Sequence, residues 1–308
     1  MPLTPEFHEL AAKVRNWGRW GDDDRIGTLN LIDDEARRRA AASVKSGRAL
    51  SLAIPLSING PQMGFIGKRQ NPLHTMLEIN DPSILDPEGP RFSDDMIVLT
   101  LQAATHWDGL AHASYDDKLY NGYPADSINA LGSTILGIDH VKTLVGRGVL
   151  LDVARAKGVD VLEGGYALTP DDLDAAAELA KVEVLPGDIV LIRTGVMSIL
   201  HAGDKLTYNM TAPGPSLKTV EWFRSHDVAA VAVDHGTFEV FPSEVDTMPL
   251  PVHLLHLVDM GMTQGQHWDL EELAADCADD GQYSFLLSAS PEPVEFGVGS
   301  PVNPVALK

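Results

Sequence analysis

Cysteine is nearly absent: the 308 residues hold only Cys277. An intramolecular disulfide framework is therefore excluded, and so is a cysteine-rich zinc module. Basic residues are also scarce, with 23 Lys and Arg against 44 Asp and Glu, a formal charge of −21. A field of that sign repels phosphate backbones and anionic lipid, so neither nucleic acid nor a membrane surface is an expected partner. No apolar run approaches the roughly 20 residues that a membrane-spanning helix needs. Met1 to Arg15 carries Glu6, Glu9 and Lys13 and lacks the apolar stretch of a signal peptide. Several catalytic signatures are missing too: there is no G-x-S-x-G elbow, no Walker-type loop and no G-x-G-x-x-G after a strand. What is present is 44% apolar and 22% charged residues, enough for a packed core and without the composition of disorder. The expectation is a soluble, cytoplasmic globular protein acting on a small molecule.

Neither a fixed-period repeat nor a low-complexity linker divides the chain. The first 32 residues, with Trp17, Trp20, Gly21, Asp22, Asp23 and Asp24, read as an irregular N-terminal arm ahead of one domain at 33–308. Asp33 to Lys45 reads as a helix capped by Asp33 or Asp34. Residues 58–93 are rich in Pro and Gly and read as a long loop with short extended pieces, and loops of that length tend to be functional. Strand-like segments follow at Met96–Ala104, Gly148–Val153, Asp188–Arg193, Val228–Val233 and Tyr283–Ser288. The clearest helix opens at Thr169-Pro170-Asp171-Asp172, with an N-cap, a first-turn proline and acids at the positive helix end. Others run from Pro215 to Ser225 and from Leu270 to Ala278. Strands alternating with helices predict an α/β single domain.

Potential ligands are densest after the first strand: Gln102, His106, Asp108 and His112. If the backbone stays extended, residues 102, 104, 106 and 108 share one face, because strand side chains alternate with period two. An amide oxygen, an imidazole and a carboxylate would then stand together, a mixed set that Zn²⁺ or Mn²⁺ accepts. His112 follows four residues later as a further ligand or a proton-transfer group. His253 and His256 form a second concentration far along the chain. A hydrogen-bonded structural histidine explains any one of these positions equally well. His201, His226 and His235 take structural or surface roles by default, and His267-Trp268 packs near a helix start at Asp269. Cys277 lies in an Ala-rich stretch among acids, a setting for a small buried apolar residue and not for a nucleophile.

Residues Gln102 to His112, Gln-Ala-Ala-Thr-His-Trp-Asp-Gly-Leu-Ala-His, resemble the H-x-G-T-H-x-D-x-x-x-H signature of the cyclase family of metal-dependent hydrolases, which includes bacterial kynurenine formamidase and isatin hydrolase. Thr105, His106, Asp108 and His112 match the signature. Trp20-Gly21 with Ile26 to Asn30, Asp188 to Gly195, and His253 to Leu273 also look like segments of that family. The resemblance implies a swivelling β/β/α-type fold, usually assembled as a homodimer or homotetramer. Carried over by position, His106 and Asp108 would be metal ligands, His112 the acid/base and His253 a distal ligand.

Two positions depart from the family pattern. Gln102 stands where its first His is found, and Gln266, with Gly265 adjacent, aligns with its distal Glu. Glutamine ligates through its carbonyl oxygen but brings no charge, so Asp108 would be the only carboxylate and two divalent ions would repel with little compensation. One divalent ion, Mn²⁺ or Zn²⁺, is therefore expected. The implied reaction is hydrolysis of an amide or lactone of a small, flat or cyclic substrate, covered by Trp17, Trp20 and Phe65. Two other readings compete. A lyase or ring-closing reaction at the same centre would leave the mass without an added water. A binding protein that has lost its chemistry would take up ligand without turnover or metal.

Overall fold

The branched and leucine-rich segments of the sequence become the centre of one nine-stranded sheet in a computed structural model, which describes residues 3–65, 68–245 and 248–308. Residues 1 and 2 of the expected arm lie outside the described residues. In chain order the strands are β1 (Ala49–Ser51), β2 (His106–Asp108), β3 (Val145–Asp152), β4 (Ile189–Arg193), β5 (Ala230–Val233), β6 (Gln264–Gln266), β7 (Ser284–Ser288), β8 (Gly299–Pro301) and β9 (Val305–Leu307). Their spatial order is β1-β9-β7-β3-β4-β5-β6-β2-β8. The inner run β3 to β6 is parallel. Every other neighbour is antiparallel, including β6 with β2 and β2 with β8.

Alternation along the parallel strands supplies two cores, one on each face. Val190, Ile192, Val231 and Val233 face a cluster containing Phe7, Leu173 and Phe223, whereas Ile189, Leu191, Ala230 and Ala232 face one with Trp107, Trp268, Leu273 and Cys277. Burial pushes the Cys277 thiol up to about 12, in keeping with an unreactive core residue. The helix predicted at Thr169 is Pro170–Ala180, closed by a reciprocal capping box between Thr169 and Asp172. Asp33 caps the helix Asp34–Ala42 through Ala36 N at 2.8 Å.

Two expectations need correction. The arm is not irregular throughout, because Pro5–Val14 is a helix. Thr4 accepts from Phe7 N, Pro5 takes the first turn, and Phe7, Ala11 and Val14 go into the core. The segment Met96–Ala104 is not one strand either. Asp95–Val98 pairs with Leu73–Met76 in an outlying hairpin, and turns occupy 101–105 before β2 begins at His106. Gln102 therefore reaches the site from a turn and not from the strand face it was expected to share with His106. Leu73, Met76, Met96, Ile97 and Val98 in that hairpin are exposed.

Candidate active site

Strand register places the chemistry. Gln264 lies opposite Asp108, and Gln266 lies opposite His106, so all four side chains project from one face of β2 and β6. The residues between them serve the other face. A Cβ on Gly265 would come within 2.6 to 3.0 Å of Trp268, Ala232 and Trp107, so only glycine lets the two indoles close there. Those rings meet edge to face at 4.8 Å. The strand pair is thus held from behind by aromatic packing and presents polar groups in front.

Three imidazoles converge on the Asp108 carboxylate from different elements. Nε2 of His106 and Nε2 of His112 lie 3.5 and 3.6 Å from Oδ1, and Nε2 of His253 lies 3.9 Å from Oδ2. His253 belongs to the short helix Pro251–Leu254. These separations exceed a good hydrogen bond but match donors sharing one ion, about 3.3 Å apart when each bond is ~2.0 Å. Two of the rings are locked from behind. His106 Nδ1 is 2.7 Å from the Ala104 carbonyl, which only accepts, so Nδ1 carries the hydrogen and Nε2 keeps its lone pair. His253 Nδ1 is 2.6 Å from Glu239 Oε1, which fixes the same tautomer. Glu239 also accepts from Val252 N and His253 N, both at 2.8 Å, so its charge is spent at the start of that helix.

Electrostatics follow from this packing. Burial works against ionisation of Asp108, but the surrounding imidazoles, His112 foremost, more than offset it and hold the carboxyl well below the usual range. For His112, burial outweighs the pull of Asp108 and keeps the ring below its ordinary value, hence neutral near pH 7. His235 and His256 are pushed down to about 3, chiefly by burial.

Around the carboxylate lies a set of buried polar atoms with no hydrogen-bond partner: His106 Nε2, Asp108 Oδ1, Gln266 Oε1, Gln102 Nε2 and both amide atoms of Gln264. Gln266 Nε2 donates to Asp108 Oδ2 at 2.8 Å. The Gln102 amide lies over Gly299, the register partner of Asp108, where a Cβ would come within 2.5 Å of Nε2. Among the described residues, no group of three or more His, Cys, Asp or Glu is close enough together to hold a metal ion by itself. The open arrangement nevertheless suits a divalent ion at His106 Nε2, Asp108 Oδ1 and Gln266 Oε1, which are unsatisfied lone-pair donors, whereas Gln102 would have to turn its amide to offer oxygen.

The structure thus brings together His106, Asp108, His112, His253, Gln266 and Gln102. The aromatic residues expected to cover them make contacts of their own. The Trp17 indole donates to the Val258 carbonyl at 2.7 Å and packs beneath Arg15. Trp20 lies against the Arg19 guanidinium, and Phe65 is 57% exposed. Several neighbours were not foreseen. His267, directly after Gln266, is buried with Tyr208 Oη 2.7 Å from its Nδ1 and its ring 5.9 Å from that of His106. His235 follows the carboxyl end of the parallel strand β5, the end at which α/β sheets usually bind ligands, and that rule could have flagged it. Nothing in the local sequence distinguishes Glu239. The positive charge of Arg69, in the long loop, is among the lesser causes that hold His112 and His267 below their ordinary value, after burial.

Comparison with known proteins places these observations. The cyclase family model matches residues 48–240. The chain is similar to a crystal structure described as a novel cyclase, at 39% identity, with 100% of both chains covered and a TM-score of 0.89. It is also similar to an isatin hydrolase bound to the product analogue thioisatinate, at 20% identity over 87% of this chain and 94% of that one, TM-score 0.61. A potential metal-dependent hydrolase with cyclase activity matches at 14% identity over 84% and 98%, TM-score 0.52. The last two likenesses speak for the fold alone. No curated protein matches the chain.

Proposed function

The chain belongs to the cyclase family, and from that premise we propose that it is a metal-dependent hydrolase cleaving an amide or lactone bond of a small, flat or cyclic substrate. One observation carries the reading: three imidazoles point Nε2 at a single buried carboxylate, and two of them are tautomer-locked from behind. The fold shared with an isatin hydrolase and with a potential metal-dependent hydrolase supports it.

His106, Asp108 and His253 would hold the ion, with the amide oxygens of Gln266 and Gln102 as neutral further donors. When bound, a divalent ion supplies Lewis acidity, polarising a carbonyl and making water more acidic. His112 Nε2 takes the proton of the attacking water and returns it to the leaving nitrogen or oxygen. Gln266 steers the Asp108 carboxylate through its hydrogen bond. Glu239 is committed to backbone N–H groups and to His253 Nδ1, which leaves Asp108, among the described residues, as the carboxylate that faces the Nε2 atoms of the imidazoles. The reading is therefore one ion, Mn²⁺ or Zn²⁺. Assembly as a homodimer or homotetramer belongs to it too, because a two-stranded hairpin exposing Leu73, Met76, Met96, Ile97 and Val98 is not stable by itself in water.

Elemental analysis of protein purified without chelator tests the proposal. A single Mn²⁺ or Zn²⁺ per chain is the expected result. Two ions would overturn the single-carboxylate argument, and no metal even after reconstitution would overturn the hydrolase reading. The support behind His253 has its own signature. Glu239→Gln is expected to weaken metal affinity about 10- to 100-fold, measured by competition with a chromophoric chelator. Unchanged affinity would remove His253 from the ligand set.

A further inference from the structure

His267 stands beside the imidazole cluster on a backbone that few residues adopt. Alternation along β6 would send it to the rear face with Gly265. Instead its φ is +58°, in the left-handed region, where a residue other than glycine stays only if its surroundings hold it. They hold it from both sides: its N–H donates to the His235 carbonyl at 3.0 Å, and its carbonyl accepts from Thr105 Oγ1 at 2.6 Å. The ring is thereby brought to 5.9 Å from that of His106 and stacks on Tyr208 at 5.8 Å. Gly236 leaves the space for it, since a Cβ there would come within 2.5 and 2.9 Å of Cε1 and Nε2.

Hydrogen bonding decides which nitrogen of this ring is free. Tyr208 Oη lies 2.7 Å from Nδ1 and 3.5 Å from the Asp234 carbonyl. A carbonyl only accepts, so the phenol hydrogen goes to Asp234 and Oη accepts from Nδ1–H. The opposite tautomer would set an Nε2–H against the amide nitrogen of Gln62, another donor, 3.5 Å away. Nε2 therefore keeps its lone pair, as it does in His106 and His253. Gln62 Nε2 is spent at 2.9 Å on the Ala103 carbonyl, and its 3.5 Å from His267 Nε2 exceeds a good hydrogen bond. An acceptor on a ring only 1% exposed is thus held without a close donor, and Gln62 marks the side from which an N–H approaches.

We propose that His267 Nε2 accepts an N–H that the substrate carries beside its scissile carbonyl, so that the substrates are amides or imides with a free N–H and not lactones; this rests on the hydrolase reading above. A site built around an acceptor rejects an analogue of the same size that brings oxygen in place of N–H, because two lone pairs would then face each other. His267 is thus a specificity-determining residue. Tyr208 is a positioning residue that fixes its tautomer from behind, as the Ala104 carbonyl does for His106.

The probes are 2-pyrrolidinone and γ-butyrolactone, a lactam and a lactone of one size that differ in N–H against O. Their binding to the full chain is titrated by NMR in wild type, His267→Asn, His267→Gln and Tyr208→Phe, each also analysed for metal. Asparagine tolerates the left-handed backbone, and glutamine returns an acceptor oxygen near the place of Nε2. Wild type is expected to prefer the lactam about threefold to tenfold. The preference should vanish in His267→Asn, recover in part in His267→Gln and shrink in Tyr208→Phe, with metal content unchanged. Equal affinities in wild type, a preference that survives in His267→Asn, or no lactam binding to wild type overturns the proposal. Loss of the ion in His267→Asn overturns it too, by making His267 a ligand. If lactam and lactone bind alike and both need the metal, His267 is overturned and the hydrolase reading stands. If a His267-dependent preference persists in protein that never takes up metal, the acceptor stands and the hydrolase reading falls.

Discussion

His112→Ala is expected to keep its metal and to lose turnover by about 10²- to 10⁴-fold, the usual worth of a positioned acid/base. The division of labour among the three imidazoles comes from how each is held. His106 and His253 have Nδ1 tied to an acceptor behind them and side chains 0% and 8% exposed, the condition of a ligand that must not move. His112 is 23% exposed, and among the described residues its ring makes no hydrogen bond. It stands 3.6 Å from the same carboxylate and is the most exposed of the three rings, placed to take the proton of an attacking water. Burial keeps it neutral near pH 7 against the pull of Asp108, so it begins the cycle as a base. The check pairs metal analysis with kcat on an amide, imide or lactone found by screening wild type. Loss of the ion in the variant would make His112 a ligand, and wild-type turnover would remove it from the chemistry.

How much of this was legible depended on range along the chain. Thr169-Pro170-Asp171-Asp172 and Asp33 specify helix starts by local hydrogen bonding, and both helices begin where those residues say. The parallel strands were legible because burial on both faces demands uninterrupted Val, Ile and Leu. The run Met96–Ala104 misled for the same reason read in reverse. Its apolar residues belong to an exposed hairpin, and apolar content alone does not say whether a strand is inside. Thr4-Pro5-Glu6 carries the same start signal as Thr169, but the Trp, Gly and Asp residues after it masked the helix. At the site, His106, Asp108 and His112 are close in sequence and could be read as a unit. Glu239 and His267 reach the unit through sheet order and loop closure, which no short spacing encodes.

Replacing Asp108 with asparagine removes the charge on which the whole arrangement turns while nearly preserving shape. The amide oxygen that the substitution introduces can still accept from Gln266 Nε2, so the β2–β6 pairing has no reason to fail. What fails is the balance of charge. The three imidazoles bring none when neutral, Gln102 and Gln266 bring none, and Glu239 is committed behind His253. A divalent ion in Asp108→Asn would sit buried without an anionic ligand, a desolvation cost that neutral donors do not repay. Metal occupancy is expected to fall below detection, with affinity down about 100-fold or more. Thermal unfolding gives the second readout. Wild type at 100 times its dissociation constant gains about 2.7 kcal/mol from the ion, and that gain should vanish in the variant while the chelated proteins unfold alike. An Asp108→Asn protein that still binds one ion per chain would move the charge requirement to Glu239, and Glu239→Gln would then abolish binding outright instead of weakening it.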